Sequence, residues 1–193
     1  MSDFGDEYYI ERILNGDQSS YALLVERYKN MVFTIAIRML KNHELAEEVS
    51  QDAFLKAYKS LKQFKKKSKF STWLYRIVYN QCISELRKQK QNTMSIDDES
   101  SSKSVLNIED TLNKTEGLEN EDRKYYIEKA LSYLPEDDRM IITLFYQNEM
   151  TTEEIANIVN LSVSNVKVKL YRSRNKLYET LNSLLQNEIS TLL

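Results

Sequence analysis

Leu24, Tyr28, Val32, Ile35 and Met39 recur at steps of four, four, three and four, the stripe of an amphipathic helix over about residues 18 to 41. Asn42 then offers a side-chain oxygen to the free amides of a new helix start, after which Ala46, Val49, Ala53, Ala57 and Leu61 repeat at three and four. A third stripe, Leu74, Val78, Cys82 and Leu86 widened by Ile77, predicts a helix over about Ser71 to Lys90. From Gln91 to about Glu119 the apolar period stops; this polar, serine-rich, acidic stretch predicts a flexible linker. Periodicity resumes from Tyr125 to Leu134. It restarts after Pro135, whose fixed φ suits a first helical turn, through Met140, Ile141, Leu144 and Phe145. Thr151-Thr-Glu-Glu154 spells a capping box for a short helix through Ile155, Ile158 and Val159. Asn160-Leu161-Ser162 supplies a tight turn and a fresh N-cap, and a last helix runs to about Leu185. Two short helices joined in this way read as helix-turn-helix. The expected fold is all-α: two small helical domains, at 8–90 and 120–186, joined by a flexible linker at 91–119, the second a helix-turn-helix domain.

Composition narrows the chemistry. The 193 residues include three glycines and one proline, so hairpins and glycine-rich phosphate loops lack their usual breakers. One histidine, His43, and one cysteine, Cys82, cannot assemble a Cys/His zinc site, paired Glu-x-x-His metal motifs or a convincing Ser-His-Asp set. No catalytic residue, metal ligand or cofactor is therefore expected. His43 and Glu47 stand four apart without a second histidine, and Cys82 lies on an apolar stripe, where it reads as a small buried hydrophobe. The first thirteen residues carry acids rather than a basic stretch and an apolar run, and the longest mainly apolar stretch, Met31 to Ile37, is too short to cross a bilayer. A cytoplasmic protein without stable membrane insertion is expected.

Charge changes the picture more. The chain carries a formal net charge of −2, but residues 55–91 hold 11 basic groups against 1 acid, whereas 92–138 hold 5 against 13. A block this basic is an electrostatic footprint for a polyanion. At about 100° per residue counted from Thr72, the third helix has Arg76, Arg87 and Asn80 on one side next to Trp73. Upstream lies a basic loop bracketed by aromatics, Phe64 to Phe70, and Tyr75 and Tyr79 follow. Basic groups with aromatics available for stacking suit single-stranded nucleic acid, although residues such as Phe70 and Trp73 more often belong to a core and a lysine run alone more often to a solvated loop. On the last helix, Val166, Leu170, Ser173 and Leu177 form a buried side. Ser164, Val168, Tyr171, Arg172 and Asn175 lie opposite, flanked by Lys167, Lys169, Arg174 and Lys176. Base-reading types with a basic rim, behind a capped helix and a turn, suit the major groove. The second helix carries Glu44, Glu47, Glu48 and Asp52, which a helix dipole alone would also favour.

Five strings, in order, carry a resemblance: Glu47-Glu-Val-Ser-Gln51-Asp52-Ala-Phe54, Phe70-Ser-Thr-Trp73-Leu-Tyr-Arg76-Ile-Val-Tyr-Asn80, Leu134-Pro135-Glu-Asp-Asp-Arg139, Thr152-Glu-Glu154-Ile155-Ala156 and Val166-Lys-Val-Lys-Leu-Tyr-Arg172-Ser-Arg174. Over about residues 8 to 185 the chain resembles the extracytoplasmic-function group of bacterial RNA polymerase sigma factors. The resemblance implies a non-enzymatic promoter-specificity subunit. Its first domain would read the melted −10 element and its second the −35 element, with the linker threaded through core polymerase. It implies that Glu48, Gln51, Asp52 and Phe54 dock on the clamp helices of the beta-prime subunit, the beta subunit being a further contact. It implies that Asn80, Arg76 and the loop Phe64, Lys65, Lys66, Lys67, Lys69 capture a flipped base of the non-template strand. Ser164, Asn165, Lys167, Val168, Lys169, Tyr171 and Arg172 then fall at the −35 contact positions. The family often has Gly-Thr where this chain has Ser164-Asn165, and Ser or Arg where it has Val168, so a relative's promoter sequence does not transfer. An anti-sigma partner is expected, since two DNA-binding surfaces on a flexible tether can be clamped and masked. The linker acids Asp97, Asp98 and Glu99 are expected to mimic nucleic acid in the RNA exit path. The alternative is an autonomous helix-turn-helix regulator, which has no use for the first domain's motifs; a helical enzyme would need a paired acid and base, and none stands out.

Overall fold

The computed structural model describes residues 4–94 and 118–192, and among them every regular element is helical. In the N-terminal half these are α1 (Asp6–Leu14), α2 (Ser19–Leu40), α3 (His43–Ser60) with a 3-10 turn (Leu61–Gln63), and α4 (Phe70–Met94). In the C-terminal half they are α5 (Leu118–Ser132), α6 (Glu136–Gln147), α7 (Thr152–Val159) and α8 (Val163–Leu192). The linker expected at 91–119 lies mostly outside the described residues, Asp97, Asp98 and Glu99 included. Its flanks are helical instead: α4 continues four residues beyond Lys90, and α5 begins at Leu118, ahead of the first apolar repeat.

Local chemistry explains the boundaries. Gly16 takes φ 103° between α1 and α2, a left-handed conformation that side chains resist. Next to it Asp17 accepts from the Ser19 amide (3.1 Å) and the Ser20 hydroxyl (2.8 Å), and Arg12 donates to it (2.8 Å). Lys41 closes α2 in the left-handed region, and Asn42 caps α3 by accepting from the Leu45 amide (2.9 Å). Pro135 is the N-cap of α6 rather than its first helical residue. The Thr151–Glu154 capping box forms in both directions, Asn160 ends α7 in the left-handed region, and the Ser162 hydroxyl accepts from the Asn165 amide (3.3 Å) at the start of α8. α1 was not marked by an apolar stripe; only Ile10 and Ile13 are buried along it.

In the N-terminal half α2 packs against α1, α3 and α4, and α3 against α4; in the C-terminal half α8 packs against α5, α6 and α7. The halves also touch, α4 on α7 and α2 on α6, and buried residues from both belong to one continuous apolar cluster. The expected stripes are the core: Leu24, Val32, Ile35 and Met39 of α2, Leu74, Val78 and Cys82 of α4, Val166 and Leu170 of α8. Burial pushes the Cys82 thiol up to about 12, so it remains an inert core group.

Candidate nucleic-acid interface

On α3 the side chains of Glu48, Gln51 and Asp52 are exposed, and their three- and four-residue spacing puts them on one side of the helix. Leu55 follows on the same side, also exposed. Phe54 differs from them: its ring is half-buried, and its carbonyl accepts from the Tyr21 hydroxyl (2.6 Å).

The loop between Gln63 and α4 is held from below by aromatics. Phe70 is buried, and its ring lies 5.9 Å from Phe64 and 5.7 Å from Trp73, which are themselves 5.3 Å apart. Phe64 and Trp73 are half-buried, so this trio packs more than it projects. Above it Lys65, Lys66, Lys67 and Lys69 are exposed, with Lys66 in the left-handed region at φ 54°. Lys66 lies 3.9 Å from Glu7 of α1, and Lys69 pairs with Glu154 of α7 at 2.9 Å. Arg76 and Asn80 stand exposed on α4, one turn apart. Tyr75 and Tyr79 do not: both are buried, against the expectation of free stacking rings, with the Tyr75 ring against Tyr28 of α2 and both hydroxyls bonded to the other half of the chain. The Tyr79 hydroxyl donates to Asp137 (2.8 Å), and the Tyr75 hydroxyl accepts from Asn148 (3.2 Å). Burial pushes the Tyr75 phenol up to about 12.

α8 separates its sides as its sequence pattern predicts. Val166, Leu170 and Ser173 are buried and Leu177 half-buried, while Ser164, Asn165, Lys167, Val168, Tyr171, Arg172 and Asn175 are exposed. Two of the basic groups are engaged by α6 instead. Lys169 is half-buried and pairs with Asp138 of α6, and the Arg174 guanidinium sits over the Phe145 and Tyr146 rings, 5.4 and 5.6 Å from their centroids. Lys167 and Arg172 remain as exposed cations beside Val168 and Tyr171.

Sequence periodicity missed the seam between the halves. Arg38, buried on α2, donates to the Thr143 hydroxyl (2.8 Å) and pairs with Glu128 of α5. Arg139, also buried, donates to the Arg38 carbonyl and to the Leu134 carbonyl (2.8 Å). Lys41 donates to the Ser132 carbonyl (3.0 Å). The one available signal was an arginine set among the buried Ile35, Ala36, Met39 and Leu40. Among the described residues no three His, Cys, Asp or Glu side chains cluster to hold a metal ion, and no helix is long and apolar enough to cross a membrane.

Known families account for both halves. The Sigma-70 region 2 profile matches residues 24–92, and the Sigma-70, region 4 profile matches 124–177. Similar relatives include the ECF RNA polymerase sigma factor SigW of Bacillus subtilis, 32% identical over 180 residues that cover 91% of this chain and 96% of the relative. The ECF RNA polymerase sigma-E factor of Escherichia coli is 33% identical over 173 residues, covering 88% and 90%. Among solved structures, the sigma factor RpoE with the anti-sigma factor NepR from Bartonella quintana is 25% identical with a TM-score of 0.66, covering 84% of this chain and 96% of that one. CnrH with the cytosolic domain of CnrY shares the fold at 21% identity and the same TM-score of 0.66, covering 92% and 97%.

Proposed function

Because the chain belongs to the extracytoplasmic-function group of RNA polymerase sigma factors, we propose that its two halves divide promoter recognition between them without any chemistry of their own. Residues 8–90 dock on core polymerase and read the melted −10 element, 120–186 read the −35 element, and 91–119 connect them. Glu48, Gln51, Asp52 and Phe54 meet the beta-prime clamp helices. Lys65, Lys66, Lys67, Lys69, Arg76 and Asn80, over the ring of Phe64, take the extruded non-template base. Extrusion costs a few kcal/mol, which hydrogen bonds and backbone charge must return for melting to proceed. Ser164, Asn165, Lys167, Val168, Tyr171 and Arg172 enter the −35 major groove, Val168 against a thymine methyl, with Lys169 at the edge of the contact. The protein works in the cytoplasm, with an anti-sigma factor as regulator; the solved relative held by NepR supports that partner.

One observation carries this reading. Sigma factors align along 91% of the chain, so both halves are accounted for and an autonomous helix-turn-helix regulator explains only the second. The test is reconstitution with core polymerase. The Glu48→Ala/Gln51→Ala/Asp52→Ala variant melts as the parent does and no longer co-purifies with core; retained core binding would refute the docking assignment. Asn80→Ala impairs opening of duplex promoters more than binding to a pre-melted bubble, and equal defects on both templates would remove Asn80 from strand capture.

A further inference from the structure

α1 ends at Leu14 and lies outside the Sigma-70 region 2 profile, which begins at residue 24. It nevertheless reaches the loop before α4 from two directions. At the start of α1 the Asp6 carboxylate accepts from the Tyr28 hydroxyl (2.5 Å) through one oxygen and from Arg27 (2.6 Å) through the other. The Tyr28 ring lies 5.6 Å from that of Phe70, the buried member of the aromatic trio beneath the loop. One residue on, Glu7 stands 3.9 Å from Lys66, the loop residue in the left-handed region.

We propose that Asp6 is a positioning residue for capture of the −10 strand: by holding the Tyr28 hydroxyl it sets the Tyr28 ring against Phe70 and thereby fixes the shape of the loop from Phe64 to Lys69. The proposal rests on the promoter reading above and adds to it a helix that no recognition motif marks.

Close packing alone does not hold this loop. An open cleft of about 510 Å³ lies between α1 and the loop, with Glu7 and Tyr8 on one wall and Ser68 and Lys69 on the other. Where neighbouring atoms do not fill the space, directional bonds to a charged group have to set the geometry. Lys66 adds to the demand, since a side-chain-bearing residue at φ 54° persists only where its surroundings impose that conformation. Asp6 is placed to meet it. Its side chain is 19% exposed, so its bonds are only partly screened by water. The helix that carries it is itself anchored: Arg27 also donates to the Phe4 carbonyl (2.9 Å), its guanidinium lies 5.3 Å from the centre of the Tyr9 ring, and Ile10 is buried. Burial and the neighbouring carboxylate push the Tyr28 phenol above its ordinary value, so it remains the donor of the pair.

Trp73, the only tryptophan of the chain, has its ring 5.3 Å from Phe64 and 5.7 Å from Phe70 and therefore reports on the loop without any DNA. The test compares the full chain with three variants. Tyr28→Phe keeps the ring and removes the hydroxyl, Asp6→Ala removes the acceptor, and Asp6→Asn keeps an amide oxygen that can still accept. All are measured at a temperature where circular dichroism shows each of them folded. Tyr28→Phe and Asp6→Ala should each raise quenching of Trp73 by acrylamide and weaken binding of a −10 non-template single strand about fivefold, the size of one lost hydrogen bond, with −35 duplex binding unchanged. Asp6→Asn should recover most of both signals, and Asp6→Ala/Tyr28→Phe should be no worse than Asp6→Ala alone, because both changes break the same bond. Parent-level strand binding in folded Tyr28→Phe and Asp6→Ala would overturn the proposal, whatever their melting temperatures. So would an equal loss of −35 binding, which marks general destabilisation, or full additivity of the two substitutions. A parent that does not bind the −10 strand would instead overturn the promoter reading, while Trp73 quenching still reports whether Asp6 holds the loop.

Discussion

On α8 the candidate reading groups Lys167, Val168, Tyr171 and Arg172 stand in solvent on a capped helix whose opposite side, Val166 and Leu170, carries the packing. Around the start of α4 the candidate groups ride on a loop pinned by Phe64, Phe70 and Trp73, and the neighbouring Tyr75 and Tyr79 are packed under the other half of the chain. The contrast separates two ways of carrying a recognition surface. A helix with one side free can change its contact residues at little cost to stability. A loop held by a buried ring couples the geometry of recognition to the stability of the core, so changing one changes the other.

The largest expected effect breaks that coupling. Phe70→Ala removes a buried ring with contacts to Tyr28, Phe64 and Trp73 and should cost about 3–5 kcal/mol of stability, read by denaturant unfolding. Under conditions where the variant is still folded, −10 strand binding should fall while −35 duplex binding holds. A variant as stable as the parent would mean that the aromatic trio does not anchor the loop. On the other surface, Arg172→Ala should leave the melting temperature unchanged and lose about 1–3 kcal/mol of discrimination at one −35 base pair. If Arg172→Ala weakens all sequences alike, its partner is a phosphate.

The same contrast decides what could be read from sequence. On α8 the buried and exposed residues are set by the 3.6-residue period together with the cap at Ser162, both local, so the sequence pattern already sorts Val166 and Leu170 from Lys167 and Arg172. Asn42 and the Thr151–Glu154 box were legible for the same reason. Lys169 and Arg174 show the limit. Their angular positions suggest a basic rim, but Asp138 and the Phe145 and Tyr146 rings, brought in by α6, decide where the charges go. Tyr75 and Tyr79 fail more completely, because the partners of their hydroxyls lie more than 50 positions away. Arg38 is the extreme case: its partners Glu128 and Thr143 lie 90 and 105 residues on, and no periodic pattern encodes such a pairing.

Thr151→Ala probes how firmly the capped architecture aims the second surface. Its hydroxyl accepts from the Glu154 amide, and Glu154 in return accepts from the Thr151 amide (3.0 Å). Removing one side of such a cap costs about 1 kcal/mol. Since α7 sets the angle at which α8 leaves the turn, the loss should also appear as modestly weaker −35 binding with unchanged base preference. Unchanged unfolding and binding would mean that packing of Ile155 and Ile158 alone fixes α7.

The smallest effect lies in the pH dependence of Glu154, which both caps α7 and pairs with Lys69 of the loop before α4. Burial raises its proton affinity, but the Thr151 amide and the Lys69 ammonium outweigh this and hold the carboxyl below the usual glutamate value. A folded-state value below the unfolded one means that the charged form stabilises the native state. That contribution is complete above the unfolded glutamate range, about 4.3, and is lost as pH falls through the lower folded value. Glu154→Gln keeps a side chain able to cap but gives up the charge, so the parent should out-melt it by a small margin near neutral pH. That margin should close as the solution is acidified below the unfolded range. Because Lys69 belongs to the other half, a Lys69→Ala background should shrink the margin at neutral pH as well. A margin that is the same at every pH would show that Glu154 acts through its hydrogen bonds alone, and that its charge contributes nothing across the seam.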